Sequence, residues 1–251
     1  MQPRLLPLAA FAAAAALGQT SASRTVNNHN SWYNWFGHHQ IAGKFGAHTE
    51  VQFRRSGWGE TWQQLLMRYG ATYDLNSSLR VVVGYGYIRT YPYGEAPSVH
   101  PFPEHRIWED LHWHRRKQRH TMLNRFRVEQ RYIGLVARDS DGGLNVKRWN
   151  YENRFRWMLR ETFPLGKPGS LRQGPYMTAY NEFWVNFGPG ASAHWFDQNR
   201  AYLGAGYRFN RLWAMDAGYM HQIIRKRAGP VWENNHTMVV NLHCNVPLRP
   251  Q

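Results

Sequence analysis

Ionisable residues of both signs recur at every second position through the middle of this 251-residue chain. Between 121 and 133, one parity holds Arg125, Arg127, Glu129 and Arg131; the other holds Met122, Phe126, Val128 and Tyr132. Between 147 and 162, Glu152, Arg154, Arg156 and Arg160 stand against Tyr151, Phe155, Trp157 and Leu159. Arginine beside a carboxylate can do two kinds of chemistry. The planar guanidinium pairs bidentately with Asp or Glu, which ties neighbouring strands together. A surplus of guanidinium over carboxylate in a narrow passage instead selects anions.

The same parity rule collects Glu50, Arg54, Arg68, Arg80, Arg106, Asp110, Arg125, Arg127, Glu129, Arg131, Glu152, Arg154, Arg156, Glu182, Arg200, Arg208 and Asp216 on one face. Cross-strand neighbours on one face lie within reach of each other, so opposite signs can ladder. The set reads either as a sealed ion-pair network that holds register or as a basic constriction favouring anions.

Other chemistries have less to build on. His112 and His114 share a strand face beside Asp110, but a zinc site needs three or four converging ligands, which one strand pair does not supply. No metal or other cofactor is expected. Ser98 with His100, and Ser31 with His29 and Asn30, are the pairs from which a lipid-modifying esterase or deacylase could be assembled. Neither pair has an orienting carboxylate on an assigned strand, so no catalytic residue is assigned and an enzyme is the second reading. The run from His112 to His120 is the most basic stretch, yet the export signal described below sets nucleic acid aside as a partner.

A period of two is the signature of β-strands, whose alternate side chains point to opposite faces. Strand-like runs fall at about 31–38, 44–55, 61–74, 79–91, 105–115, 120–137, 147–162, 175–187, 199–209, 213–225 and 235–246. Many exceed the roughly 9–11 residues that cross a bilayer with tilt. The apolar parity carries Leu65, Met67, Tyr69 and Tyr73, then Val81, Val83, Tyr85 and Tyr87, then Ala201, Leu203, Ala205 and Tyr207. The opposite parity carries Gly84, Gly86, Gly204 and Gly206 among the charged residues, which leaves room for long side chains. A charged inner face and an aromatic and aliphatic outer one predict an all-β fold, a transmembrane antiparallel up-and-down barrel of 10–12 strands. Twelve strands are expected first and ten second. Single-chain bacterial barrels normally have an even number, which implies either a missed strand within 23–36 or a first segment that does not pair.

Links at 75–78, 116–119 and 210–212 are tight, and those at 92–104, 138–146, 188–198 and 226–234 are longer. Tight turns on one rim and long loops on the other is the outer-membrane arrangement, with 163–174 the exception. Residues 1–22, with Arg4 before the apolar run Leu5–Leu17, read as a cleaved signal peptide; 23–251 form a single barrel domain. The formal net charge is +15, and arginine far outnumbers lysine among the basic residues, which suits partly buried pairing. A lone cysteine, Cys244, excludes an internal disulfide framework and is expected on the apolar face of the last strand.

The segments from Glu104 to Trp108, Arg125 to Arg131, Asn181-Glu182, Asp197 to Tyr207 and Gly218 to Met220 resemble the bacterial exported family catalogued as domain of unknown function 2490. The resemblance runs from about 30 to 245. It implies an outer-membrane β-barrel of Gram-negative bacteria and no established activity. Its partners would then be outer-membrane lipid, lipopolysaccharide and the barrel assembly machinery, with the oligomeric state open. One departure stands out: many such barrels end on an aromatic residue, and this chain ends in the tail from Val246 to Gln251.

Overall fold

The computed structural model describes residues 23–117, 120–166, 173–189, 191, 194–227 and 229–249. The expected signal peptide at 1–22 lies outside the described residues, as do two positions of the basic run at 112–120. Among the described residues eleven strands follow one another: β1 Arg24–Ala42, β2 Phe45–Ser56, β3 Thr61–Asp74, β4 Leu79–Thr90, β5 Phe102–Lys117, β6 His120–Arg138, β7 Leu144–Pro164, β8 Gly174–Phe187, β9 Phe196–Arg208, β10 Trp213–Arg225 and β11 Val231–Cys244. They form one closed barrel in which each strand pairs with its sequence neighbours and β1 pairs with β11.

The fold class is the one expected, and the strand count resolves differently from the preference for twelve or ten. No additional strand lies within 24–36, and the first strand does pair. Residues 24–30 are the start of β1 itself, which meets β11 in parallel from Arg24 to Gly37 and β2 antiparallel from Asn30 to Ala42. The reason is geometric. An antiparallel meander with an odd number of strands begins and ends in the same direction, so its closing ladder must be parallel. All other ladders are antiparallel.

Tight connections at 43–44, 75–78 and 209–212 share one rim with the end of β7 and the start of β8. The opposite rim carries 57–60, 91–101 and 139–143, together with the ends of β8 and β10 and the starts of β1, β9 and β11. The alternation of face holds along the strands read from sequence except where a ladder shifts register. Leu203, Val83 and Met238 are about half exposed on the outside, whereas Arg127, Glu129 and Arg154 on the inside are almost wholly buried. Glycines on the inward parity make space as expected: a Cβ at Gly84 would stand 2.5 Å from the Trp108 ring, and one at Gly86 2.9 Å from Arg68 Cγ.

Aromatic residues occupy the outer wall at mid-height, as at Tyr69, Tyr85 and Trp157, and towards both rims. Phe53–Trp62–Tyr91, Tyr132–Tyr151 and Phe183–Phe196–Trp232 make ring contacts 5.1–6.3 Å apart near the long-loop rim. Phe45–Tyr73, Trp35–Trp213, His120–Phe163 and Tyr207–Phe209, at 4.8–5.7 Å, do so near the other. Two girdles of this kind flank the lipid-facing band of membrane barrels. The wall also has polar patches that parity alone would not place there. Gln130 donates to Glu109 at 3.3 Å, and His29, His236 and His221 stand in a row across β1, β11 and β10. Cys244 takes the outward parity and is buried.

Candidate functional site

Six of the carboxylates stand directly across a ladder from an arginine on the inner face. The register pairs are Glu50 with Arg68, Asp74 with Arg80, Asp110 with Arg127, Glu129 with Arg154, Glu152 with Arg131 and Glu182 with Arg200. Register therefore brings the opposite signs together before any side chain bends.

At mid-height, Glu129 has no exposed surface and faces five guanidinium groups. Arg154 lies at 2.5 Å, Arg156 at 2.8 Å, Arg68 at 3.5 Å, Arg127 at 3.8 Å and Arg106 at 3.9 Å. Around it, Asp110 takes both Nε and Nη2 of Arg127 and also meets His112 at 2.9 Å. Glu104 accepts paired hydrogen bonds from both Arg106 and Arg131. Glu182 accepts from Arg125 and Arg156, and Glu50 accepts from Arg68. Separating either member of such a pair leaves a buried charge uncompensated, so each partner is held by the others.

The remaining expected residues line the ends of the lumen. Arg80 pairs with Asp74 at 2.6 Å towards the tight-turn rim. Glu152 joins Arg131 to the loop residue Arg227 at the other rim. Arg208 lies over Tyr176 near the tight turns. Asp216 departs from the arginine pattern, since its donors are Tyr202 at 2.7 Å, Asn241 at 2.7 Å, His243 at 2.8 Å and Tyr176 at 3.1 Å. Neutral groups and a histidine do there what guanidinium does elsewhere.

Three tryptophans stand inside the barrel, against the expectation that aromatic residues face outward. Trp108 lies under Arg127, Trp184 under Arg154, Arg156 and Arg200, and Trp32 under Arg54 and Arg200, with guanidinium carbons 3.6–5.0 Å from the ring centroids. Guanidinium stacks on indole readily, more so where water is excluded. Parity itself signals these positions, because Trp108 alternates with Arg106 and Asp110, and Trp184 with Glu182. Two further lumen residues carry no such signal. The β8–β9 ladder shifts register between Trp184 and Val185, which turns Asp197 inward to accept from Arg154 at 2.8 Å. A second shift between Arg54 and Arg55 brings Gln63 inward, where it accepts from Trp32 Nε1 at 2.7 Å. A bulge re-aims a side chain without changing its place in the sequence.

The lumen is thereby divided. A cavity of about 400 Å³ lies below the long-loop rim, and one of about 290 Å³ lies towards the tight turns. Trp32, Arg54, Trp184 and Arg200 border both and form the waist between them. The 91–101 loop folds over the upper cavity. Tyr93 Oη donates to Glu233 at 3.0 Å, Lys226 pairs with Glu233 at 2.7 Å and donates to the Ala96 carbonyl, and the Glu95 amide donates to Asn28 at 3.1 Å. Burial, reinforced by the Glu233 carboxylate, raises the pKa of the Tyr93 phenol, which keeps it a donor.

Among the described residues, no set of three His, Cys, Asp or Glu side chains converges as a metal ion would require. Ser98 Oγ donates to the His100 carbonyl at 3.1 Å rather than to its ring. Ser31 is buried on the outward parity, two residues from His29.

Residues 29–234 match the family described as a protein of unknown function, DUF2490. The chain belongs to that family. For this DUF2490 member, no curated protein matches the sequence significantly. Among solved structures it is similar to one described as "NanC porin structure in rhombohedral crystal form", with a TM-score of 0.44 and 10% identity over 79% of this chain and 87% of that one.

Proposed function

We propose that this DUF2490 protein is a non-enzymatic outer-membrane barrel whose lumen is closed at the waist, with positively charged cavities on either side. The observation that carries the reading is Glu129, wholly buried at mid-height beneath five arginines and flanked by inward tryptophans. In the central layer, nine guanidinium groups (Arg54, Arg68, Arg106, Arg125, Arg127, Arg131, Arg154, Arg156 and Arg200) meet six carboxylates (Glu50, Glu104, Asp110, Glu129, Glu182 and Asp197). Pairing explains closure, and the surplus explains a preference for anions in what space remains. The half-exposed apolar wall and its two girdles support a lipid surround, with the long loops facing out of the cell and lipopolysaccharide against that half. Export by a signal peptide and insertion by the barrel assembly machinery belong to the same reading.

Planar-bilayer recording tests it. The wild-type barrel is expected to give no steps above the bare-bilayer baseline in molar KCl, while showing the heat-modifiable mobility of a folded barrel. Stable steps of the size seen with open porins would contradict closure.

A further inference from the structure

The network leaves Arg54 without a carboxylate and Arg200 with only a distant one shared with other arginines, and the two stand together. Arg54 donates to Gln52 at 2.8 and 2.5 Å and to Gln64 at 2.6 Å, and among the described residues no carboxylate oxygen lies within 4.0 Å of it. Arg200 reaches Glu182 only at 4.0 Å, and its Nε and Nη2 lie 3.0 and 3.1 Å from the side-chain amide of Gln222. Neutral amides therefore fix both guanidinium groups in position without cancelling their charge. Both lie on Trp32, at 3.8 and 5.0 Å from its centroid, and both border the upper cavity.

That cavity has the size of a small-molecule site, for which about 300–1,000 Å³ is usual. Its lining includes Glu104 and Asp197, each already paired with arginine, and otherwise falls mainly into two kinds of wall. The waist supplies positive charge, and Phe102, Ile133, Ile224 and Val231 supply an apolar surface. The 91–101 loop folds over part of the top through contacts already given. An inorganic ion would use only the first wall, while a neutral apolar molecule would leave the cations unmatched. A ligand that satisfies both has an anionic head and an apolar body.

We propose that the upper cavity binds a small organic carboxylate, its head on Arg54 and Arg200 and its body against Phe102, Ile133 and Ile224. The planar guanidinium fork matches a carboxylate in shape as well as charge. The inference rests on the reading of a closed, basic lumen and adds the ligand class.

Benzoate is the probe, titrated calorimetrically into the full barrel in lipid nanodiscs, with benzyl alcohol and inorganic phosphate as comparisons. Saturable benzoate binding is expected with a Kd of about 1 mM or tighter, near −4 kcal/mol. Benzyl alcohol and phosphate should each bind at least tenfold more weakly. Arg54→Gln and Arg200→Gln should each weaken benzoate binding about tenfold. Absence of saturable benzoate binding, parity between benzoate and either comparison, or undiminished affinity in both folded variants would overturn the proposal. The comparison of probes uses only the wild-type chain, so it decides the matter even where a variant does not fold. Conductance reads closure of the waist separately, so a barrel that fails to bind and a barrel that conducts are different results.

Discussion

Replacing Glu129 with alanine is expected to prevent most of the chain from reaching the folded barrel. Five almost wholly buried guanidinium groups share this one carboxylate; each keeps a second carboxylate partner, but the cluster as a whole is left one negative charge short. Removing one partner of a buried network typically costs about 3–5 kcal/mol, since the charges left behind lose their compensation. That is a large share of the roughly 5–15 kcal/mol that usually holds a domain folded. The reading is the fraction of heat-modifiable protein after refolding into detergent micelles, together with the urea midpoint of what folds. Glu129→Gln keeps the volume and one acceptor, so it should fall between alanine and wild type. A Glu129→Ala barrel with the wild-type midpoint would mean that the network carries no weight.

Opening the waist should produce the largest functional change. Trp32 and Trp184 border both cavities, and each also supports guanidinium groups that cross the lumen. In the double variant Trp32→Ala/Trp184→Ala, the two cavities should merge and the arginines lose the rings that hold them in place. The planar bilayer should change from a flat baseline to resolved steps. Because guanidinium exceeds carboxylate in the central layer, the reversal potential in a KCl gradient should show chloride carrying several times the potassium current. Truncating a buried tryptophan costs about 3–5 kcal/mol, so the recording counts only for the heat-modifiable fraction. Steps with a cation preference would contradict the charge assignment, and a flat baseline from folded protein would place the closure elsewhere.

Much of this was legible in the sequence where physics acts locally. Parity along Arg125, Arg127 and Glu129 sorts the inner face correctly because the strand period is fixed at two. Cross-strand pairs such as Asp110 with Arg127 follow once neighbouring strands are aligned by short turns. What stayed hidden depends on longer-range or irregular geometry. Asn27, Asn28, His29 and Asn30 are polar on both faces, so the start of β1 carries no alternation; all eleven runs were readable, but the parallel closure that lets an odd number stand was not. Asp197 and Gln63 sit at bulges, which invert parity without a residue-type signal. Trp108 and Trp184 set two rules against each other, since residue type pointed to lipid and position pointed to the lumen. Position prevailed because the arginines on the same face offered their rings a cation. Tyr93 meets Glu233 across 140 positions of sequence, a contact that no local pattern announces.

The central claim is that the apolar parity faces lipid and the charged parity faces the lumen. Collision accessibility of nitroxide labels tests it most directly, in a Cys244→Ser background reconstituted in bilayers. Labels replacing Val83, Leu203 and Met238 should collide freely with oxygen and scarcely with an aqueous nickel chelate. Labels replacing His114 and Arg160, in the lower cavity, should show the reverse ranking. If the first three labels instead collide with the nickel chelate as readily as the second two, the outer wall is wetted by water and the account is wrong.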